Sequence, residues 1–264
     1  MYEQFYGLNE APFSLTPDTS FVYRHAGHQE AVNDLLSGLT AGEGFMAVIA
    51  EVGSGKTLLC RKLLSLLSDS WASAYLPNPL LTPTELYRGI ATELGVDVGK
   101  QDSLQQLQQM IFERLVCVQK AGGKTLVLID EAQAMSQSSL EAMRLLSNLE
   151  TEKEKLLQVV FFAQPEFKKR LAQHAFRQLR QRITFVCEIK PLARNEIQGY
   201  LSHRMATAGY NGPSLFSTVA ARKIYRNSAG RPRLVNILAH KSLLAAYGKG
   251  GLRVSGRQVN AAVA

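Results

Sequence analysis

No apolar run in the 264 residues approaches the stretch of about 18 needed to span a bilayer, and Met1-Tyr-Glu-Gln-Phe-Tyr lacks the basic and apolar regions of a secretory leader. The expected location is the cytoplasm. Cysteine is scarce: Cys60, Cys117 and Cys187 share no CxxC spacing and sit within apolar segments, which argues against disulfides or a thiolate metal site and predicts buried, reduced thiols. The five histidines are scattered, with no pair at ligand spacing around a carboxylate, so each reads as structural or surface. Internal repeats and low-complexity segments are missing. Acid is nearly missing from the C-terminal quarter, where eleven Lys and Arg from residue 191 onward stand against the single Glu196. That quarter carries +10, so the first 190 residues hold −2 of the chain's formal +8. Such a field suits an acidic partner, whether nucleic acid, anionic lipid, an acidic protein surface or a nucleotide; a solvated basic helical face fits equally well.

With 46% hydrophobic residues, the chain is globular and long enough for one large domain or two small ones. Apolar, strand-like runs at 44–50, 72–76, 125–130, 157–163 and 183–189 alternate with helical patterns at 83–94, 103–120, 137–149 and 165–174, with Ser136 as a plausible N-cap. The alternation predicts an α/β domain, a parallel sheet flanked by helices, over residues 1–190. After Pro191 only helical patterns remain, broken at 209–213 and 248–251, which predicts a small all-helical domain over 191–264.

Ala50-Glu51-Val52-Gly53-Ser54-Gly55-Lys56-Thr57 joins the first apolar run to a helical one and is a phosphate-binding loop in all but its first residue. Successive amides of Glu51, Val52, Gly53, Ser54, Gly55, Lys56, Thr57 and Leu58, at a helix N-terminus, would cradle phosphates. Lys56 would reach the β- and γ-phosphates, and the Thr57 hydroxyl would hold Mg²⁺. Ala50 stands where the motif has glycine, which requires φ below zero there. About seventy residues on, Leu126-Val-Leu-Ile-Asp130-Glu131 reads as a buried strand delivering two acids. Asp130 would hold Mg²⁺ through water, and Glu131 would act as general base on the attacking water.

These motifs resemble the AAA+ ATPases, specifically the branch containing general-secretion-pathway protein A and the ATPase of the mannose-sensitive haemagglutinin pilus system, with the transposition ATPases more distant. Phe5-Tyr-Gly-Leu8 with Pro12-Phe-Ser-Leu-Thr-Pro-Asp18 is similar to the branch's N-terminal signature, over an N-terminal segment of about residues 1–30. Asp130-Glu-Ala-Gln133 and Leu145-Leu-Ser-Asn-Leu-Glu-Thr151 match it as well. The resemblance implies that His28, in His28-Gln-Glu-Ala31, borders the adenine, that Gln164 is sensor 1 and that Gly230-Arg-Pro-Arg233 supplies sensor 2 through Arg233. It further implies an arginine finger in 176–183, Arg182 first and Arg177 second, with Arg180 fitting a solvated arginine best.

The residues thus imply ATP and Mg²⁺ as ligands and hydrolysis of ATP, and the resemblance implies a homo-oligomer with nucleotide at its subunit interfaces. By resemblance, the partners are inner-membrane proteins of a pilus or type II secretion apparatus, with peripheral attachment to that membrane. Longer members of the branch continue into a transmembrane helix and a periplasmic peptidoglycan-binding region, and a chain ending at Ala264 is closer to the shorter pilus type. Two rivals are a DNA-binding ATPase regulating transposition and a nucleotide-dependent scaffold with little turnover.

Overall fold

The computed structural model describes residues 2–15, 19–21, 23, 26–149 and 155–263. Thr16, Pro17 and Asp18 of the N-terminal signature, and Glu150 and Thr151 of the second segment, lie outside the described residues. In chain order the helices and strands are α1 Tyr2–Tyr6, α2 Ala26–Thr40, β1 Phe45–Ile49, α3 Lys56–Leu66, β2 Trp71–Leu76, α4 Pro83–Glu93, α5 Leu104–Lys120 and β3 Lys124–Ile129. There follow α6 Gln137–Leu146, β4 Gln158–Ala163, α7 Pro165–Leu171, α8 Arg177–Arg182, β5 Ile183–Glu188, α9 Ile197–Thr207, α10 Thr218–Ser228, α11 Pro232–Tyr247 and α12 Gly256–Val263. These form two compact units: a sheet unit of residues 30–50 and 59–189, and a helical unit of residues 1–29, 51–58 and 190–264.

In the sheet unit the strands are all parallel, in the order β2-β3-β4-β1-β5. Helices cover both faces, so β1, β3 and β4 are almost continuously apolar, as strands buried on both sides must be. Side chains alternate across the sheet. Ala47, Ile49, Val127, Ile129, Val159 and Phe161 join a core with residues of α4, α5, α6 and α7, while Met46, Val48, Leu126, Leu128, Val160 and Phe162 join a second with α2 and α3. Thr82 and Ser103 start α4 and α5 with reciprocal capping boxes to Glu85 and Gln106, and Ser136 caps α6 through the Ser139 amide.

Each strand lies within one residue of its expected bounds. Helices α6 and α7 end about three residues early, at Leu146 and Leu171. At α6 the Ser147 hydroxyl donates to Arg144 O, a local bond that competes with further helix. Cys117 corrects the expectation of buried thiols, since it is exposed whereas Cys60 and Cys187 are buried. Leu107, Ile111 and Leu115 mark the buried side of α5 at every fourth residue, which turns Cys117 to the opposite side.

The helical unit has its own core, in which Tyr2, Tyr6, Leu8, Phe13 and Phe21 pack with Leu192, Ile197, Leu201, Val235, Ala239, Leu243 and Val259. Tyr6 donates to Gly251 O at 2.8 Å, and Tyr200 to Asn236 Oδ1 at 2.7 Å. Buried Arg204 donates to Pro12 O at 2.6 Å and to Ser14 O at 3.3 Å, with its guanidinium 4.4 Å from the Phe21 ring centre. A desolvated charge is thereby surrounded by oxygens and a π-face, the partners that make its burial tolerable. Among the described residues, no helix is long and apolar enough to cross a membrane.

Candidate functional site

The phosphate-type loop leaves the sheet at Ala50, whose amide donates to Ala163 O at 3.0 Å, next to Gln164. Ala50 is buried and is not among the residues with positive φ, so alanine satisfies the requirement that its position sets. Within the helical unit the loop is shaped by glycine. Gly53 has φ +75°, and a Cβ there would come within 2.2 Å of Arg233 Cβ; Gly55 has φ +91°, and a Cβ there would meet His28 Cε1 at 2.7 Å. Any side chain at either place would meet both backbone strain and a close neighbour.

Three backbone oxygens tie the loop down. Ser54 O is 2.8 Å from His28 Nε2, Gly53 O accepts from the Arg233 amide at 3.2 Å, and Glu51 O accepts from Lys56 Nζ at 3.1 Å. Lys56 is buried at 5% exposure while opening α3, with Thr57 and Leu58 in the same first turn. The Ser54 hydroxyl is buried with no hydrogen-bond partner among the described residues. An orphaned hydroxyl, a glycine-lined cradle, a buried ammonium and a helix N-terminus together fit a phosphate group. Arg231 Nη2 stands 3.9 Å from Glu51 Oε2, an exposed and weak pair. Arg233 is exposed at the start of α11, and Val52 is half exposed.

In the sheet unit, Asp130 and Glu131 follow β3. Asp130 is buried, with Oδ1 accepting from the Glu131 amide at 2.9 Å and Oδ2 lying 3.4 Å from the Tyr75 hydroxyl. Burial, with the negative charge of Asp130 adding to it, pushes the Tyr75 phenol far above its ordinary range, so it stays a donor. Burial, with Asp130 adding to it, likewise pushes up the Cys60 thiol. Glu131 is left-handed, with φ 52° and ψ 36°. A non-glycine residue held there is strained, and such strain concentrates at functional sites. Its carboxylate accepts from Gln164 Nε2 at 2.8 Å and from Gln133 Nε2, while Gln133 Oε1 accepts the Gln164 amide at 3.0 Å. Gln133 thus bridges the acid and the end of β4. Arg170 Nη1 holds the turn from below, donating to Gln133 O at 2.6 Å and Met135 O at 2.8 Å.

The family resemblance sets Gln164 beside the acids but assigns no individual role to Gln133, Tyr75 or Arg170. An amide two residues after a strand-end acid, able to donate and accept at once, was the available signal for Gln133. Arg182 ends α8 with Nη1 donating to Ser147 Oγ at 2.8 Å and to Arg144 O at 3.3 Å, so it is held at the C-terminus of α6. Arg177 and Arg180 are exposed, and Arg177 lines a cavity of about 440 Å³ with Gln137, Leu140 and Phe176.

Residues 39–171 match the family model described as an AAA domain. The chain belongs to that family. It is also 39% identical over 254 residues to "General secretion pathway protein A" of Aeromonas hydrophila, covering 96% of this chain and 46% of that protein. The chain therefore spans about half the length of this relative. Among solved structures the fold is similar to Cdc6p of Pyrobaculum aerophilum (TM-score 0.72, 17% identity, 95% of this chain and 69% of that one). It is similar too to the ORC2 protein of Aeropyrum pernix (TM-score 0.68, 15% identity, 97% and 71%). The fold is thus that of the AAA+ ATPases, and nucleotide binding is the property this family and fold imply.

Proposed function

We propose that the protein binds ATP with Mg²⁺ and hydrolyses it, and that it works as an AAA+ assembly factor for a pilus or type II secretion apparatus on the cytoplasmic side of the inner membrane. The observation that carries the catalytic half is Glu131, a carboxylate held in a strained backbone conformation by two side-chain amides. A carboxylate so fixed is preorganised to take a proton from water, whereas one serving only as surface charge needs neither strain nor partners.

In this reading Gly53, Ser54 and Gly55 offer amides to the nucleotide phosphates, Lys56 supplies a fixed positive charge, and His28 borders the base. Thr57 and Asp130 would hold Mg²⁺, which when bound neutralises charge on the phosphates. Gln164 and Gln133 orient the Glu131 carboxylate, Arg233 senses the γ-phosphate, and Arg182 acts on a neighbouring subunit's nucleotide. A homo-oligomer with nucleotide at its interfaces follows from that last role. The secretion setting rests on the relative's name together with 96% coverage of this chain. As a second reading, the charge of the C-terminal quarter and the fold shared with the Aeropyrum pernix ORC1 protein "in complex with DNA" favour a DNA-binding ATPase such as a transposition regulator.

The test is nucleotide affinity and phosphate release for two variants. Lys56→Ala should abolish binding, while Glu131→Gln should bind ATP as the wild type does and lose roughly 10²–10⁴ in rate, the usual contribution of a general base. Loss of binding in the Gln variant would make Glu131 structural, and wild-type affinity with negligible wild-type turnover would leave the nucleotide-dependent scaffold.

A further inference from the structure

The turn that carries Glu131 has few bonds of its own. Ala134 N donates to Glu131 O at 2.8 Å and Met135 N to Ala132 O at 3.2 Å, while the carbonyls of Gln133 and Met135 are taken up by Arg170 Nη1 at 2.6 and 2.8 Å. A non-glycine residue stays left-handed only where its surroundings over-determine it, so the hold on 131–135 must come from other elements. Both ends of α7 provide it. At the start of this helix Gln164 donates to the Glu131 carboxylate and, through its amide, to Gln133 Oε1; in the last turn Arg170 reaches the two carbonyls.

Helix α7 is itself anchored. Phe167 is fully buried with its ring 5.5 Å from that of Phe161 on β4, and Leu171 is buried in the same core. Between them in sequence, Arg170 is half-buried, its guanidinium 5.4 Å from the centre of the Phe176 ring, and among the described residues it pairs with no carboxylate. A partly desolvated guanidinium that meets a ring and two main-chain oxygens, and no acid, fixes backbone, and charged donors make the stronger hydrogen bonds.

We propose that Arg170 is a positioning residue for ATP hydrolysis, clamping the 131–135 turn so that the Glu131 carboxylate stays where it can take a proton from water. The role rests on Glu131 being the general base proposed above, and it adds where the preorganisation of that base comes from. The bonds of Arg170 are to the acid's own turn, so its loss should appear in kcat and leave ATP affinity alone.

The experiment compares kcat, KM for ATP and equilibrium ATP affinity of the full chain with those of Arg170→Met and Arg170→Lys. The Met variant should lose roughly 10- to 100-fold in kcat with affinity within about twofold, as a displaced general base would. The Lys variant, which keeps a charged donor without the planar group, should fall between it and the wild type. Added to Glu131→Gln, Arg170→Met should cause no further loss, because the group it positions is already gone. Hydrogen exchange read by peptide mass spectrometry should quicken over 131–135 in the Met variant and keep the wild-type rate in β1. Wild-type kcat or unchanged exchange over 131–135 in Arg170→Met, an equal further loss on top of Glu131→Gln, or a fall in affinity matching the fall in kcat would overturn the role. If the Met variant does not fold, Arg170→Lys decides alone: reduced kcat at unchanged affinity supports the clamp, and wild-type kcat overturns it. A wild type that binds ATP without turnover defeats the ATPase reading instead, and exchange over 131–135 then still shows whether Arg170 holds the turn.

Discussion

The loop at 51–57 and the acids at 130–131 are held by opposite means. In the helical unit the loop owes its shape to backbone: two glycines at positive φ, and carbonyls of Glu51, Gly53 and Ser54 tied to Lys56, Arg233 and His28. In the sheet unit the acids owe their positions to side chains, with Tyr75 beside Asp130 and the amides of Gln133 and Gln164 on Glu131. A backbone-shaped element fails when atoms are added, since there is no room and no relaxed conformation. A side-chain-held element fails when hydrogen-bonding atoms are taken away at constant shape. The two halves therefore call for different substitutions.

The largest expected effect concerns Arg182, which is side-chain-held but assigned a partner outside its own chain. An arginine acting on a neighbour's phosphate contributes roughly 10³–10⁵ in rate, whereas its bonds to Ser147 and Arg144 O are worth about 1 kcal/mol of stability each. Arg182→Ala should be nearly inactive alone, and so should Glu131→Gln. Mixed, they should regain part of the activity, because some interfaces then pair an intact acid with an intact arginine. A co-assembling mixture that stays inactive, with an Arg182→Ala protein that merely melts earlier, would confine Arg182 to its α6 contact and pass the finger role to exposed Arg177.

Next in size is the loop. Gly53→Ala adds one methyl at φ +75° and within 2.2 Å of Arg233 Cβ. The conformation alone costs about 1–3 kcal/mol, so the loop should relax away and ATP affinity should fall by tenfold or more, with the rest of the fold intact. Calorimetric titration reads this directly. Unchanged affinity would mean that the loop tolerates added atoms and does not owe its shape to its glycine backbone.

Gln133→Leu applies the opposite operation. It keeps size and removes one donor to Glu131 and the acceptor of the Gln164 amide. ATP affinity should stay within about twofold while kcat falls about tenfold or more, since a general base misplaced by a fraction of an ångström loses much of its effect. A fall in affinity at constant kcat would show Gln133 serving the fold instead.

The sequence made the strands legible because parallel strands buried on both faces leave uninterrupted apolar runs, and no bound moved by more than a residue. The loop residues and the two acids were legible because their spacing has a chemical reason. The left-handed turn at Glu131 was not, because no residue type announces a non-glycine at positive φ. The contacts of Arg204 with Pro12 and Ser14, about 190 positions away, leave no periodic trace, and so the first residues read as a family marker and not as part of a core. The partners of Arg182 escaped for the same reason, lying 35 and 38 positions back in the chain.

The smallest effect uses the cysteines to report whether the side-chain-held half stays closed. Thiolate, not thiol, reacts with alkylating agents. Burial, reinforced by Asp130, raises the Cys60 thiol, and burial with Asp34, Glu188 and Glu30 pushes Cys187 up to about 11. Cys117 is exposed on α5. Brief treatment of the native protein with iodoacetamide near neutral pH, read by peptide mass spectrometry, should modify Cys117 alone, with Cys60 and Cys187 following only in denaturant. Removing the Asp130 charge by Asp130→Asn should lower the Cys60 value yet leave it unreactive, because burial is the larger cause. Native labelling of Cys60 in that variant would mean that the acid, and not the packing around α3, keeps this half of the molecule shut.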